Sequence, residues 1–427
     1  MITVAVCGCG ARGLFAYMKY AELFPDRMKV VAGADILPER LQLLRELYGV
    51  PEEMCFSSDE ELLKQPKLAD AMLISTMDRQ HVKEAMAALE KGYHLILEKP
   101  ISPVLSECLR LQEKIHENDR YVVVGHVLRY TAFYSKAEEL IRTGAIGKLM
   151  TIDMTENVGW WHFSHSFVRG NWRNTEETSP MLLQKCCHDM DIMRWLAGKA
   201  CKKVQSFGSL SYFKEENAPE GSGDRCSSCP VREHCRFNAE ELYISNPHLG
   251  MREGHEGWAR IFVADPTEEN IREALKTSPY GRCVYRCDND VCDHQTVNLE
   301  FEDGIYGTFT VSAFSERCDR TLKITGTEGA IYGILGENKL HLVRFNAGEE
   351  VLDLEKMIEG PEGHGGGDMG LADGFYRLMT GQAGEKTSVD ESIESHVMAL
   401  AAEESRLNGG KTVELKVFIR NEKGGRS

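Results

Sequence analysis

The chain has 427 residues, a formal net charge of −16 and 27% charged residues. This length allows two or three domains with a large buried core, and the acidic balance argues against a nucleic-acid partner. No apolar run approaches the roughly 20 residues that a membrane helix needs, and the first residues do not resemble a secretory signal. We therefore expect a cytoplasmic protein that binds neither membrane nor nucleic acid.

Residues 2 to about 126 alternate short apolar runs with stretches of helical periodicity. The predicted strands are MITVAV, KVVAGA, DAMLIS, YHLILE and YVVVGH; the predicted helices are 11–23, 38–48, 79–91, 104–117 and 131–143. Alternating β and α units predict a parallel sheet that is covered by helices on both faces.

After Gly147 the pattern changes to longer strands in which apolar and polar residues alternate. Six such strands, from KLMTIDMTENV to KLHLVRF, predict an antiparallel sheet. A polar insertion at about 214–290 interrupts them, and helices return within 371–407. The predicted fold class is thus α/β, with a parallel sheet followed by an α+β domain.

The first strand ends in a glycine-rich turn, VAVCGCGARG, which contains the pattern G-x-G-x-x-G at Gly8, Gly10 and Gly13. Glycines at these positions permit a tight turn, close approach of a pyrophosphate and close helix–strand packing. The phosphates would lie at the N-terminus of the helix that begins near Ala11, where backbone N–H groups are unpaired. The two cysteines of this stretch are then small fillers.

The second strand ends in Asp35, in the position of an acid that accepts hydrogen bonds from the adenosine ribose. A carboxylate there repels a 2′-phosphate, so the pattern favours NAD over NADP. The alternative is that Asp35 only caps the helix that begins at Pro38.

Residues 74–102 have the pattern strand, loop, helix, strand, and then Glu98-Lys99-Pro100. Together with the glycine turn, CHDMDIMRWLAG at 187–198 and ITGTEGAIYG at 324–333, this segment closely resembles the Gfo/Idh/MocA family of nicotinamide-dependent sugar and polyol oxidoreductases. The resemblance covers nearly the whole chain. It implies a Rossmann domain over 1–126 and an α+β domain over 127–427. The second domain would have an open-faced, mostly antiparallel sheet that associates copies into a homo-oligomer.

The resemblance also implies roles for particular residues. The substrate would lie between the nicotinamide and the open sheet, with Lys99 as acid/base and Glu98 holding that lysine in place. Pro100 often follows a strained or cis bond in this family. The expected cofactor contacts are Gly8, Gly10, Ala11, Arg12, Gly13, Asp35, Ser75, Thr76, His81, Glu98 and Lys99.

The lysine suits the chemistry, because oxidation of a secondary alcohol releases a hydroxyl proton that a nearby group must accept. The family commonly carries Asp-x-x-x-His on the helix that faces the nicotinamide. Here Gln184 replaces the acid, while His188 falls on the expected histidine. Because an amide accepts no proton, we expect Lys185 to supply a second titrating group. The catalytic candidates are therefore Lys99, Lys185 and His188.

Aromatic and basic residues indicate a substrate site, since aromatic rings stack on apolar sugar faces while Arg and His bind oxygens. The alternative is a well-packed loop with surface arginines. The expected substrate contacts are His126, Arg129, Tyr130, Trp161, His162, His165, Arg169, Trp172, Arg173 and Gln184. As a group they suggest a polar or extended glycoside.

The insertion contains CSSCPVREHC, in which Cys226, Cys229 and Cys235 have a spacing that suits a metal. With Cys283, or else Cys287, as fourth ligand, we expect a closed structural zinc site that fixes an insertion without an obvious core. An iron–sulfur cluster and unligated thiols are the alternatives.

Three functions are compatible with these patterns. The first is an NAD-dependent oxidoreductase that acts on a sugar, polyol or glycoside. The second is a redox glycosidase, which would oxidise a ring hydroxyl transiently, eliminate the aglycone and return the hydride. The third, which the catalytic candidates argue against, is a nucleotide-sensing regulator.

Overall fold

The structure is a computed structural model, and it describes residues 1–357, 365–382 and 388–424. The predicted helical region 371–407 lies within these ranges except for residues 383–387. No described helix is both long and apolar enough to cross a lipid bilayer.

The N-terminal half forms a six-stranded parallel sheet in the order β3-β2-β1-β4-β5-β6. Its strands are β1 (Ile2–Cys7), β2 (Met28–Ala34), β3 (Cys55–Phe56), β4 (Ala71–Ile74), β5 (His94–Leu97) and β6 (Val122–Val124). Its helices are α1 (Lys19–Leu23), α2 (Pro38–Tyr48), α3 (Asp59–Lys64), α4 (His81–Glu90) and α5 (Leu105–His116). The strand order reverses between β1 and β4, and in such sheets ligands bind at that switch point.

The five predicted strands of this half are present because their apolar runs are buried on both faces, as in other parallel sheets. The prediction missed the two-residue strand β3 and the short helix α3. The helix α3 begins at a local signal, since the hydroxyl of Ser58 accepts a hydrogen bond from the backbone of Glu61. The predicted helix 11–23 divides into a π-helical segment, Ala11–Tyr17, and α1.

The C-terminal half forms a nine-stranded sheet in the order β14-β13-β12-β11-β7-β10-β9-β8-β15. Its strands are β7 (Leu149–Gly159), β8 (Cys201–Ser209), β9 (His294–Phe301), β10 (Tyr306–Ser315), β11 (Asp319–Gly326), β12 (Gly329–Ile334), β13 (Lys339–Arg344), β14 (Gly348–Asp353) and β15 (Val413–Glu414). The pairs are antiparallel except for β7 with β10, which is parallel. The predicted fold class is confirmed.

The helices of the C-terminal half pack mainly against this sheet and against one another, except for the helix Gly367–Met379, which packs on the N-terminal half. They are α6 (Ala132–Arg142), α7 (Trp160–Phe163), α8 (Met181–Gln184), α9 (Cys187–Ala197), α12 (Gly367–Met379), α13 (Val389–Leu407) and α14 (Leu415–Gly424). The insertion lies between β8 and β9 and contains α10 (Ala239–Ile244) and α11 (Glu268–Leu275).

The insertion has an apolar core of its own, which the sequence analysis did not anticipate. Leu242, Ile244 and Ile271 from its helices are buried in it, together with Tyr280 and with Trp161 of α7. This core joins the insertion to the segment that follows β7, and that segment borders the functional site.

Candidate active site

A cleft of about 1000 Å³ lies between the carboxyl ends of the parallel strands and the nine-stranded sheet. Twelve of the predicted site residues line it: Arg12, Ser75, Thr76, His81, Glu98, Lys99, Trp161, His162, Trp172, Gln184, Lys185 and His188. The two halves of the chain therefore contribute to a single site.

The glycine turn has the geometry that a bound dinucleotide requires. Gly8 has a φ of +89°, and a Cβ there would lie 2.5 Å from the carbonyl oxygen of Ser75. A Cβ at Gly13 would lie 2.3 Å from the carbonyl oxygen of Gly8, whereas one at Gly10 would meet only the side chain of Arg40. The turn is thus closely packed beneath and open above, which suits a pyrophosphate.

The carboxylate of Asp35 is fixed at the end of β2. Its two oxygens accept hydrogen bonds from the backbone N–H groups of Cys9 and Leu37, each at 2.9 Å. Arg40 lies 3.4 Å from the same carboxylate. Because a carboxylate oxygen accepts more than one hydrogen bond, Asp35 retains capacity for ribose hydroxyls. The residues present therefore fit NAD.

Ser75 and Thr76 connect the turn to the strand beside it. The hydroxyl of Ser75 donates to the carbonyl of Gly8 at 2.8 Å, and that of Thr76 donates to Glu84 at 2.6 Å. Burial raises the pKa of Glu84 to about 7. His81 is buried, with its ring nitrogens 2.8 Å from the carbonyl oxygen of Pro100 and 3.1 Å from that of Thr76. These contacts give His81 the geometry of a structural bridge.

Glu98 is clamped by three groups from the Rossmann domain. Arg12 Nε lies 2.6 Å from its carboxylate, the Tyr17 hydroxyl donates at 2.7 Å, and the backbone N–H of Lys99 donates at 2.8 Å. Burial alone would raise the pKa of Glu98, but Arg12 and Lys99 outweigh it and lower the pKa to about 2. These partners therefore stabilise the charged form of Glu98. It holds the main chain of Lys99 rather than its amine.

The amine of Lys99 points across the cleft, and its Nζ donates to the backbone carbonyl of Gln184 at 3.1 Å. The Lys99–Pro100 peptide bond is cis. The predicted single helix over Gln184 and His188 is divided, since α8 ends at Gln184 and α9 begins at Cys187. Both side chains nevertheless line the cleft.

Lys185 belongs to a buried ionic network that the sequence analysis missed. Its Nζ lies 3.5 Å from Glu156 of β7, and Arg320 of β11 lies 2.6 Å from the other oxygen of Glu156. Arg320 also binds Asp189 of α9 at 2.8 Å. Burial raises the pKa of Glu156, while Arg320 and Lys185 oppose that shift. These residues come together only through the sheet, so no local spacing revealed them.

Three residues that were expected to contact substrate lie outside the cleft lining. Arg129 is fully buried and forms a bidentate pair with Asp191, with both distances 2.7 Å, and a further ion pair with Glu391 at 2.6 Å. His126 is buried beside Asp191, and burial holds its pKa well below the usual range. Tyr130 packs against α12. Arg129 has a structural role because its guanidinium is occupied by carboxylates.

Three more expected contacts join the segment after β7 to the insertion. The ring of His165 lies 2.7 Å from the Tyr243 hydroxyl, and burial lowers its pKa to about 3. Arg169 is buried and donates to the carbonyl groups of Arg282 and Phe237 at 2.8 and 2.7 Å. Arg173 forms a bidentate pair with Asp288 of the insertion.

Both oxygens of Asp288 lie 2.9 Å from the guanidinium of Arg173, and Arg282 binds the same carboxylate at 2.6 Å. Hydrogen bonding to Arg173 is the main cause that holds the pKa of Asp288 well below its usual range. His165, Arg169 and Arg173 thus fix the insertion to the domain and lie outside the cleft lining, unlike His162.

The predicted zinc site is not supported. Within the described parts of the chain, no group of three or more histidine, cysteine or acidic side chains has a geometry that could hold a metal ion. Cys229 accepts from the backbone N–H of Gly223 at 3.3 Å, Cys287 donates to the carbonyl of Cys283 at 3.3 Å, and Cys226 lies 3.4 Å from Arg169. Cys235 also borders this region, and all these thiols are free.

A parallel dinucleotide-binding sheet, a fixed acid after β2 and a cleft with facing lysines define a nicotinamide-dependent oxidoreductase. The family comparison agrees. The family model for the NAD-binding Rossmann fold of the GFO_IDH_MocA oxidoreductases matches residues 2–126. The model for the C-terminal alpha/beta domain of that family matches residues 138–415. The chain belongs to the Gfo/Idh/MocA oxidoreductase family.

Individual relatives are distant. YteT of Bacillus subtilis (strain 168), named as an oxidoreductase, is 23% identical over 404 residues, which cover 88% of this chain and 89% of that protein. For several other curated relatives, the match spans about half of their own length.

Solved structures share the fold. A levoglucosan dehydrogenase in complex with NADH and levoglucosan has a TM-score of 0.69 at 18% identity, over 97% of this chain and 99% of that one. The WlbA dehydrogenase of Chromobacterium violaceum, in complex with NADH and UDP-GlcNAcA, has a TM-score of 0.67 at 17% identity, over 97% and 95%.

Proposed function

We propose that this protein is an NAD-dependent dehydrogenase that oxidises a secondary alcohol of a sugar, polyol or glycoside, with Lys99 as the acid/base. The observation that carries the proposal is that Lys99, His188 and Lys185 line one cleft beside a glycine turn that fits NAD. The sugar ligands of the two structural neighbours support the substrate class.

In this proposal Lys99 accepts the hydroxyl proton at its Nζ, which the carbonyl of Gln184 orients at 3.1 Å. His188 holds the alcohol oxygen on the opposite side of the cleft. Glu98 keeps the backbone of Lys99 in place, and Asp35 binds the ribose of the cofactor. When bound, NAD supplies the hydride acceptor.

A second candidate function is the redox glycosidase, and the pair of Lys185 with Glu156 favours it. Elimination of an aglycone needs a further acid/base, and burial raises the pKa of Glu156, whose carboxylate lies 3.5 Å from the amine of Lys185. This pair lies in the same cleft as Lys99.

One experiment separates the two functions. The purified protein is incubated with NAD and a panel of sugars, polyols and aryl glycosides, while NADH absorbance and aglycone release are followed together. We expect NADH to accumulate in proportion to substrate. Aglycone release that depends on NAD without net NADH would establish the glycosidase instead, and neither signal with any substrate would reject both.

We further propose that the open face of the nine-stranded sheet associates two or more copies of the chain. Tyr306 and Tyr332 project from this face and are 56% and 38% exposed. Sedimentation of the protein and of Tyr306→Glu tests this, because a buried charge in an apolar interface disfavours association. A wild-type protein that sediments as a monomer would contradict it.

A further inference from the structure

The insertion contributes an aromatic side chain to the cleft. Trp258 lines the cleft together with Trp161 and His162 of α7. The centroid of its ring lies 5.8 Å from that of Trp161, with an interplanar angle of 86°, and 5.1 Å from that of His162, with an angle of 63°. We call these three residues the aromatic wall.

The core of the insertion fixes Trp258 in this position. The ring of His165 packs edge-on against Trp258 with a centroid distance of 5.0 Å. That ring in turn stacks on Tyr280 at 4.8 Å and lies 2.7 Å from the Tyr243 hydroxyl. Trp258 is therefore held by buried neighbours, which lowers the entropy that a ligand must overcome on binding.

Trp161 is fixed in a similar way. Its indole N–H donates to the carbonyl of Glu316 at 3.1 Å, and its ring stacks on His248 of the insertion at 4.8 Å with an interplanar angle of 12°. Only 8% of Trp161 is exposed, so its position is set by packing. The insertion therefore supports both tryptophans of the aromatic wall.

The chemistry of this wall differs from that of the reacting end. Lys99, Gln184 and His188 present amine, amide and imidazole groups, which suit an alcohol undergoing oxidation. The aromatic wall presents ring faces and edges, which suit the apolar face of a ring. The cleft takes in the cofactor contacts Ser75 and Thr76 as well as the aromatic wall, so an occupant beside Lys99 has apolar ring surfaces to contact in addition to polar groups.

We propose that the aromatic wall is a subsite for a second ring, which is joined to the sugar that is oxidised beside Lys99. The substrate is then a glycoside, and the insertion selects it through Trp258. This inference rests on the proposed dehydrogenase function. The shared chemistry is a ring with an apolar face, provided either by a second sugar or by an aryl aglycone.

The test compares methyl β-glucoside, phenyl β-glucoside and cellobiose as substrates of the wild type and of Trp258→Ala. A stacking contact of this kind corresponds to a factor of about five to ten. We expect the wild type to prefer the two-ring substrates and Trp258→Ala to lose about that factor in kcat/KM for them, through KM. Its kcat/KM for methyl β-glucoside should not change. A preference for the phenyl glucoside would identify an aryl group, and a preference for cellobiose a second sugar.

Two matched variants separate stacking from folding. Trp258→Phe keeps a ring and should restore most of the preference, whereas Trp258→Leu keeps bulk without a ring and should not. Trp160→Ala removes the neighbouring tryptophan of α7, which packs against Phe237 outside the cleft lining, and should leave the preference unchanged. Equal losses for one-ring and two-ring substrates in the Trp258 variants would overturn the subsite.

A binding titration distinguishes failure of the subsite from failure of the proposed function. Phenyl β-glucoside is added to the protein without NAD, and tryptophan fluorescence is followed in the wild type and in Trp258→Leu. Quenching that is weakened in the variant would support the subsite even if no glucoside is oxidised. Oxidation of all three glucosides with equal kcat/KM, or quenching that is the same in both proteins, would overturn it.

Discussion

The two walls of the cleft have parallel arrangements with different electrostatics. In each, a lysine lies near a buried glutamate that binds an arginine: Lys99, Glu98 and Arg12 on the Rossmann side, and Lys185, Glu156 and Arg320 on the side of the nine-stranded sheet. The pKa of Glu98 is lowered to about 2, whereas that of Glu156 is raised.

The difference follows from how each glutamate is bound. Glu98 accepts from Arg12, the Tyr17 hydroxyl and the Lys99 backbone, so its charged form is stabilised. Burial is the main cause that raises the pKa of Glu156, and Asp189, which shares Arg320 with it, adds to the rise. The first wall therefore favours the charged form of its glutamate, whereas burial in the second wall disfavours that form.

The largest effect is expected from the lysines themselves. Lys99→Met should lower kcat about 10³-fold, because a positioned acid/base contributes 10²–10⁴-fold. Lys185→Met should cost much less in a dehydrogenase, because Lys185 is not its primary base. Steady-state kinetics of both variants, with thermal melts as a check on folding, make the comparison. Equal losses from the two lysines would show that the walls are functionally equivalent and would favour the glycosidase.

Replacing the arginine of each wall tests how much its ion pairs contribute to the free energy of unfolding. Arg320→Met leaves Glu156 and Asp189 as buried carboxylates without their shared partner, and should lower the free energy of unfolding by about 3 kcal/mol. Arg12→Met also removes a partner that two buried carboxylates share, Glu98 and Asp368, but it should cost less, since Glu98 keeps the Tyr17 hydroxyl and the backbone N–H of Lys99 as donors. Urea unfolding of both variants measures the difference. A larger loss of stability from Arg12→Met than from Arg320→Met would contradict this prediction.

A third buried glutamate, Glu84, allows the effect of a raised pKa to be measured through the pH dependence of stability. Glu84 accepts from Thr76, and burial raises its pKa to about 7 from 4.5. The folded state therefore holds this proton more tightly than the unfolded state. The stability that the proton confers is complete below pH 4.5 and is lost as the pH rises through 7.

Glu84→Gln should remove this dependence. The variant should match the wild type at pH 5 and exceed it at pH 8 by on the order of 2 kcal/mol in the free energy of unfolding. The amide still accepts the hydrogen bond from Thr76. Urea unfolding at the two pH values provides the measurement, and a difference that does not vary with pH would contradict the raised pKa.

The sequence predicted best what depends on neighbouring residues. Gly8 and Gly13 are required by contacts within one turn, and Glu98 and Lys99 are adjacent, so their pattern is local. Arg129 was assigned to substrate because its partner, Asp191, lies 62 positions away and nothing in the local pattern indicates the pair. Distant pairing is what periodicity and spacing do not encode.

The dependence on distant packing also explains why the metal site of the insertion was predicted wrongly and why Trp258 was missed. The cysteine spacing predicted a metal because C-x2-C forms a suitable turn, but the remaining ligands depend on the packing of distant segments. Trp258 was missed because it stands alone in a polar stretch. Its role depends on where the core of the insertion places it.

The insertion leaves and re-enters the sheet at one point, since Ser209 at the end of β8 pairs with His294 at the start of β9. On the proposal that the aromatic wall selects the substrate, exchange of this excursion together with the residues of α7 that pack on its core would alter the substrate range, while the glycine turn and Lys99 keep their places. For protein engineering, this proposal makes the β8–β9 connection the segment to exchange when a new specificity is sought on the same catalytic frame.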